Sequence, residues 1–479
     1  KKESNYHFQG NSDTETILSA IEIYGLEESL KLFKGMFAFA IWDKKYNNLT
    51  LCRDRLGEKP LYYGWIGNNF CFSSEINSLK NFPGFKKLLN KDSIDSFFRF
   101  GFIPSPNSIY TGIKKLEPGK ICKLEIGSRT EIIKNYWSLD KVIQKAKMSP
   151  FKGSFHEALD LFNAKFDNSV KSQLLSDVPV GVFLSGGIDS SAITASMRKQ
   201  SDNEIRTFSV GFEDSSFDES LYATKIAKFL GTNHTNILLS EKECINLIPK
   251  LGSIYDEPFS DPSQIPTSLL SSFVSKKVKV ALSGDGGDEL FCGYNRYKSY
   301  ESIKFISNLL PNKLKNIISR FDPDFLYSFF NKVPFFTNSF FQGISKQNSL
   351  TKIKKFYSAI KMRGPFEYYE ILLATGFDNR IFKNPQNYKN LQSISNYYNE
   401  FTKWDDIETM MAMDLSAYLP DNILFKVDRA CMFYSLENRS PFLDHELISF
   451  IWSLPLTYKL NGNNTKYLLK ESLYRNIPK

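Results

Sequence analysis

Val182-Phe-Leu-Ser-Gly-Gly-Ile-Asp-Ser-Ser191 is the stretch on which the reading of this chain turns. Its opening residues form a short apolar strand, and a helix is predicted from Ser190 onward. Between them, Gly186 and Gly187 let backbone amides approach an anion, the helix adds its positive N-terminal end, and Ser185, Ser190 and Ser191 add hydroxyl donors. Such a turn suits a pyrophosphate group. Neither the Walker A spacing nor Gly-x-Gly-x-x-Gly occurs here, so amides and hydroxyls must hold the phosphate. Asp189 beside an anion makes sense only with a cation. A purely structural Gly-Gly turn is the commoner use of this dipeptide, but the flanking serines and the strand-turn-helix setting favour the functional reading.

Around this stretch helices alternate with short apolar strands. A helix ending near residue 175, the strand 181–184, the helix from 190, the strand 206–210, a helix over 220–230 and the strand 278–282 follow in order. That alternation predicts an α/β fold with a doubly wound parallel sheet, continued past residue 297 by a mostly helical part. Its aromatic-rich stretch 321–341 reads as packing. Ahead of it, β-rich runs at 37–42, 49–52, 61–65 and 70–72 predict a layered α+β domain. A helix over 14–24 precedes them, with Ile17, Leu18, Ile21 and Tyr24 on one face and Ser12 with Glu15 as a capping box. Residues 139–153 are Lys-rich and read as aperiodic, so the expected division is 1–139, a linker at 140–155, and 156–479.

Composition narrows the function. With 479 residues, 42% of them apolar and 24% charged, the chain is long enough for two hydrophobic cores and far from disordered composition. The net charge of +9 comes from scattered lysines, which reads as a solvated face and not a nucleic-acid footprint. The longest apolar runs, 35–42 and 278–282, are too short for a membrane span, and the first residues have no signal-peptide core. Six cysteines without a CxxC spacing point to a reducing cytoplasm, and four histidines without zinc spacing leave the chemistry to carboxylates and lysines.

A second motif follows the strand ending at Leu282: Ser283-Gly-Asp-Gly-Gly-Asp-Glu-Leu-Phe-Cys-Gly-Tyr294. Asp285, Asp288 and Glu289 on a Gly-rich loop would repel a triphosphate unless magnesium were present. The plain alternative is a flexible acidic surface loop. Ser-Gly-Gly-X-Asp-Ser-Ser is similar to the pyrophosphate loop of ATP pyrophosphatases that adenylate a substrate, and the second motif resembles the signature of glutamine-dependent asparagine synthetases. That resemblance implies ATP and Mg²⁺ as cofactors, Asp189 and Asp288 as shared metal ligands, and Asp285 as a catalytic group in forming an acyl-adenylate. It further implies that Ser283 and Gly284 join the pyrophosphate loop, that Leu184 and Val210 contact adenine through their backbone, and that Lys466 in Thr465-Lys-Tyr-Leu-Leu-Lys470 is catalytic. Relatives often carry Glu at the position of Asp285 and Gly at that of Cys292, so the reach of Asp285 is open and Cys292 reads as a packing residue. Asp256-Glu-Pro-Phe259 with Asp261-Pro-Ser-Gln-Ile-Pro266 resembles a family loop near the acid substrate. Asp421-Asn-Ile-Leu-Phe-Lys-Val-Asp-Arg429 and Ser435-Leu-Glu-Asn-Arg-Ser-Pro-Phe-Leu-Asp444 also match, though their paired charges read equally well as a buried structural network.

Ser12-Asp-Thr-Glu15, the run from Leu32 to Asp43, Arg53-Asp-Arg-Leu-Gly-Glu-Lys-Pro-Leu-Tyr-Tyr63 and Phe72-Ser-Ser-Glu75 resemble the glutaminase domain with an N-terminal cysteine nucleophile. There the aspartate holds the α-amino group of glutamine, a role for Asp13. Residue 1 is Lys, and the chain is expected to be a fragment lacking both ends. The implied reaction is ATP-dependent amidation of aspartate to asparagine through β-aspartyl-AMP, with glutamine or ammonia as nitrogen donor, in a cytoplasmic homodimer. Two other readings stand beside it: the same chemistry on another carboxylate, such as a surface-polysaccharide uronic acid, and a non-catalytic nucleotide-binding protein.

Overall fold

A computed structural model describes residues 6–125, 127–201, 203–213, 220–309, 311, 364–374, 401 and 403–479; the stretch 321–341 lies outside them. In the N-terminal part, alternating apolar residues build strands β1 (Ala38–Asp43), β2 (Asn48–Arg53), β3 (Tyr62–Ile66), β4 (Asn69–Ser73), β5 (Ile113–Lys115), β6 (Lys120–Glu125) and β7 (Ile132–Asn135). They pair antiparallel into two sheets, ordered β1-β2-β6-β7 and β4-β3-β5. The helix Asp13–Tyr24 precedes them, but the capping box is not formed. Ser12 Oγ accepts from Thr14 N at 3.1 Å, while the Glu15 carboxylate accepts from the backbone of Gln9 and Gly10 instead of closing back on Ser12. Nor is the expected apolar face covered: Leu18 and Tyr24 are exposed.

The expected aperiodic segment after residue 139 is a helix, Leu139–Met148, and this corrects the reading of residues 140–155 as structureless. Leu139, Ile143 and Ala146 fall at helical spacing and are buried, and the helix packs on His445–Ser453. Lysines crowd the other positions and hid that period. Ser138 caps its start by accepting from Lys141 N.

The C-terminal part centres on β8 (Val180–Phe183), β9 (Arg206–Phe212), β10 (Asn233–Leu239), β11 (Val280–Leu282) and β12 (Glu437–Arg439). All pairings are parallel and the order is β10-β9-β8-β11-β12. β8 and β11 are short apolar runs because helices cover both faces, as a parallel sheet requires. Val182, Leu282, Phe162, Phe166, Phe291 and Phe442 share one core beneath them. The chain passes from β8 outward to β9 and β10, then returns to the other side of β8 for β11 and β12. The order in which strands are added therefore reverses between β8 and β11. In open sheets of this class, that switch point, at the carboxyl ends of the strands, is where ligands bind. Among the described residues no helix is long and apolar enough to cross a membrane.

Candidate active site

Both quoted loops leave the sheet at this switch point. After β8, Leu184 N donates to Phe208 O at 2.8 Å and keeps the chain on the sheet for one more residue. The loop then turns through Gly186, whose φ of +78° and close approach to the backbone of Ala223 both demand glycine. The helix Ile188–Gln200 starts there with Gly187 at its N-cap. The serines are set by the loop itself: Ser190 Oγ accepts from Ser185 N at 3.2 Å, and Ser191 Oγ donates to Gly187 O at 2.6 Å. Asp189 sits in the first turn of this helix.

After β11, Ser283 N donates to Arg439 O and the loop bends at Gly286, φ +89°. Asp288 follows in a four-residue helical turn, Gly287–Leu290. Ser283 Oγ donates to Asp285 Oδ2 at 2.6 Å, Asn438 Nδ2 donates to Ser283 Oγ at 3.0 Å, and Ser440 Oγ donates to the Asp285 carbonyl. Burial pushes the Asp285 carboxyl up, while the bond from Ser283 and the Lys426 charge oppose it.

The third segment of the site comes from the C-terminal part of the chain, where Lys466 stands at the N-cap of the helix Tyr467–Leu473. Lys466 Nζ lies 2.6 Å from Asp288 Oδ1 and also donates to Asp189 Oδ2. One lysine thus ties together the two loops at the switch point. Its backbone sits in the left-handed region at φ +54°, which costs a non-glycine residue about 1–2 kcal/mol. Lys466 N donating to Phe291 O at 2.9 Å holds it there. Burial alone would lower the lysine's pKa, but the two carboxylates outweigh it and raise it. Burial, partly offset by Lys466 and reinforced by Asp288, pushes the Asp189 carboxyl up to about 6.

Three glycines make room for this cluster. A Cβ on Gly284 would lie 2.8 Å from Asp189 Cβ, and one on Gly287 would lie 2.6 Å from the Asp189 carboxylate. A Cβ on Gly293 would lie 1.9 Å from Asp288 Oδ1 and 2.2 Å from Lys466 Cε. Gly287 and Gly293 were quoted in the motif but not read as site residues, because what makes them necessary lies in other elements: Asp189 for Gly287, and Lys466 with Asp288 for Gly293.

The structure brings Asp189, Asp288, Lys466, Ser185, Ser190, Ser191, Gly186, Gly187, Ser283, Gly284 and Asp285 to one end of the sheet. Leu184 continues β8, and Val210 lies on the neighbouring β9. Asp13 is elsewhere: it is exposed in the wall of an open cleft shared with Lys34, Arg439 and Asp444. Cys292 is fully buried against Met411 at φ +56°, a conformation natural to glycine and strained for a thiol-bearing residue. Burial raises its thiol to about 12, so it packs and does not react.

A divalent cation fits the two carboxylates on one observation of the site itself: Asp189 Oδ1 is buried without a hydrogen-bond partner. Among the described residues no group of three or more His, Cys, Asp and Glu side chains is placed to hold a metal. Magnesium at a phosphate site asks for less, one or two carboxylates completed by phosphate oxygens and water.

The paired charges of the later motifs divide by location. Asp421 accepts from Ser105 N and Oγ, both at 2.7 Å, and Asp428 pairs with Lys59 at 2.8 Å and with Arg429 at 2.6 Å. Glu257 pairs with Lys115 at 2.8 Å and accepts from Ile109 N at 2.6 Å. These are the structural network of the contact between the two parts. Lys426 is different: its Nζ meets Asp261 Oδ2 at 3.1 Å and Ser263 Oγ at 2.7 Å, on the side of the site that Asp285 faces. Lys426 and Ser263 hold the Asp261 carboxyl below its usual range against the upward push of burial.

Sequence comparison agrees with this geometry. Residues 161–479 match the family model described as asparagine synthase, and residues 1–137 match that of the glutamine amidotransferase domain. Asparagine synthetase (glutamine-hydrolyzing) 1 of Bacillus subtilis is 32% identical over 99% of this chain and 70% of its own length. A Methanocaldococcus jannaschii protein named provisionally as a second such synthetase is 34% identical, over 90% of this chain and 78% of its own. The amidase chry2 of Gibberella zeae is 25% identical over 98% of this chain and 71% of its own. Fold, site and both family models define the class: a ligase that joins a glutamine amidotransferase domain to an ATP-using amide-forming domain. Within that class the chain belongs to the asparagine synthase family.

Proposed function

We propose that this protein amidates aspartate to asparagine through β-aspartyl-AMP, taking nitrogen from glutamine or ammonia and releasing AMP and pyrophosphate. The observation that carries the reading is Lys466 joined to both Asp189 and Asp288 between the two loops at the switch point. The loop amides of Ser185 to Gly187, with Ser190, Ser191, Ser283 and Gly284, hold the pyrophosphate end of ATP, and the backbone of Leu184 and Val210 lies against adenine. Asp189 and Asp288 would hold Mg²⁺, which when bound neutralises charge on the phosphates. Lys466 places a fixed cation where negative charge develops as pyrophosphate leaves, an effect greatest in the transition state. Asp285 acts beside the reacting carboxylate, and Lys426 with Asp261 lines the acceptor side.

Glutamine binds in the cleft lined by Asp13, which holds its α-amino group. The division at residues 139 and 156 separates the two activities, and ammonia crosses between them out of contact with bulk water. The six cysteines are free thiols, which supports a cytoplasmic setting, and the assembly proposed is a homodimer. A panel of acids offered with ATP, magnesium and ammonium tests the acceptor. Pyrophosphate release dependent on aspartate supports the proposal, and release that answers to a uronic acid and not to aspartate refutes it.

A further inference from the structure

Glu58 stands where two cavities meet. The larger is the open cleft that contains Asp13 and Asp54. The smaller, with room for about one water-sized molecule, lies in the contact between the two parts of the chain, with Lys115, Phe425 and Asp428 in its wall. Of the residues lining these two cavities, Glu58 alone belongs to both.

Its backbone is anchored. Glu58 N donates to Asp54 Oδ1 and Lys59 N to Asp54 Oδ2, each at 2.9 Å, so the buried Asp54 carboxylate fixes the turn that presents Glu58. The neighbouring cation is engaged elsewhere, since Lys59 Nζ pairs with Asp428 at 2.8 Å. The charges that act on the Glu58 carboxyl are Asp54 and Lys59 from its own turn, Asp285 from the loop after β11, and Asp428 from the helix Phe425–Phe433. One carboxyl of the N-terminal part thus lines the cleft and lies within the field of Asp285.

We infer that Glu58 is the proton acceptor on the nitrogen's route from the cleft to the acceptor site. The inference rests on the proposed function and assigns a residue to its second half-reaction. Ammonium has no lone pair and cannot attack an acyl carbon. At Glu58 it gives one proton to a carboxylate oxygen and continues as ammonia, and that proton returns to water through the wider cleft. The ammonia lone pair forms the C–N bond, the C–O bond to AMP breaks with its electrons on the phosphate, and the surplus proton on nitrogen leaves to water. Burial first, then Asp54, Asp285 and Asp428, push this carboxyl well above its usual range against the pull of Lys59, which makes it a stronger base toward ammonium than an ordinary glutamate.

The test uses Glu58→Gln and Glu58→Asp with ammonium chloride as donor, reading asparagine and pyrophosphate separately from pH 6.5 to 9. The expected result for Glu58→Gln is a fall of about tenfold or more in asparagine per pyrophosphate near pH 7, within the usual contribution of a positioned base. The ratio should recover as pH rises and free ammonia replaces ammonium, and Glu58→Asp should restore part of it near pH 7. An unchanged ratio and pH profile in Glu58→Gln overturns the inference, as does asparagine falling in step with pyrophosphate in every variant. The wild type run beside them keeps the two claims apart. No asparagine from the wild type contradicts the proposed function, whereas wild-type product with an unaltered Glu58→Gln profile contradicts only the role of Glu58.

Discussion

Replacing Gly293 by alanine adds one methyl group at the point where the three segments of the site converge. The backbone there is not in the left-handed region, so alanine carries no conformational penalty. The cost is steric: the new Cβ would stand 1.9 Å from Asp288 Oδ1 and 2.2 Å from Lys466 Cε. Restoring ordinary contact requires these groups to retreat by at least about 1.2–1.5 Å, and even a ~1 Å displacement at a catalytic centre can cost ~10²-fold in rate. The Asp288 backbone is held, because Gly293 N donates to its carbonyl at 2.8 Å and the turn rests on the buried Leu290 and Phe291, but its side chain is 37% exposed and can swing outward. Whichever of the two side chains gives way, the 2.6 Å contact between Lys466 and Asp288 is lost. The expected outcome is a ~10²-fold loss of acid-dependent pyrophosphate release, about 2.7 kcal/mol of transition-state stabilisation, with little change in thermal unfolding. Gly252→Ala, where a Cβ meets nothing within 4 Å, is the control and should keep full rate. A Gly293→Ala enzyme that releases pyrophosphate at the wild-type rate would refute the claim that this cluster is held to sub-ångström tolerance.

Lys466→Met should depress adenylate formation much more than ATP binding; isothermal titration beside single-turnover kinetics decides, and an equal fall in both would mark a ground-state contact. Asp189→Asn or Asp288→Asn should abolish pyrophosphate release while far-ultraviolet dichroism stays native, since each removes a charge from the proposed metal site; near wild-type turnover in both would contradict the assignment. For Lys426→Met the sign follows from Asp261, whose carboxyl is held below its usual range in the folded protein. That pair contributes its full stability above the ordinary Asp range near pH ~4 and loses it as pH falls through the lowered value. Urea midpoints should therefore show the variant weaker by roughly 3–5 kcal/mol at pH 7, with the gap closing below pH ~4, and a gap independent of pH would count against the ion pair.

Much of this site was legible because its loops follow strands. Ser185 to Ser191 and Ser283 to Glu289 each leave an apolar run at the carboxyl end of a parallel strand, and the two runs, β8 and β11, are direct neighbours at the switch point. The chemistry of each loop was readable from its residue types, and adjacency followed from the topology. Lys466 was readable only by resemblance: nothing in Thr465 to Lys470 distinguishes a buried catalytic lysine from a surface one, since its two partners lie in other elements. Gly293 and Glu58 were out of reach for the same reason, as a steric need and a shared cavity wall are tertiary facts. The strand β12 was missed because three residues, Glu437 to Arg439, carry no alternation of their own and pair only through β11. The helix Leu139–Met148 was missed because lysines at 141, 145 and 147 masked Leu139, Ile143 and Ala146.

The central claim is that a side-chain carboxylate of aspartate is activated by bonding to the α-phosphorus of ATP, and oxygen labelling reads that bond directly. Aspartate carrying ¹⁸O in its β-carboxylate is turned over with ATP, magnesium and ammonium, and the nucleotide product is analysed by mass spectrometry. The account predicts AMP bearing one ¹⁸O, transferred when ammonia displaces the adenylate. Unlabelled AMP, or label appearing in inorganic phosphate beside ADP, would contradict it.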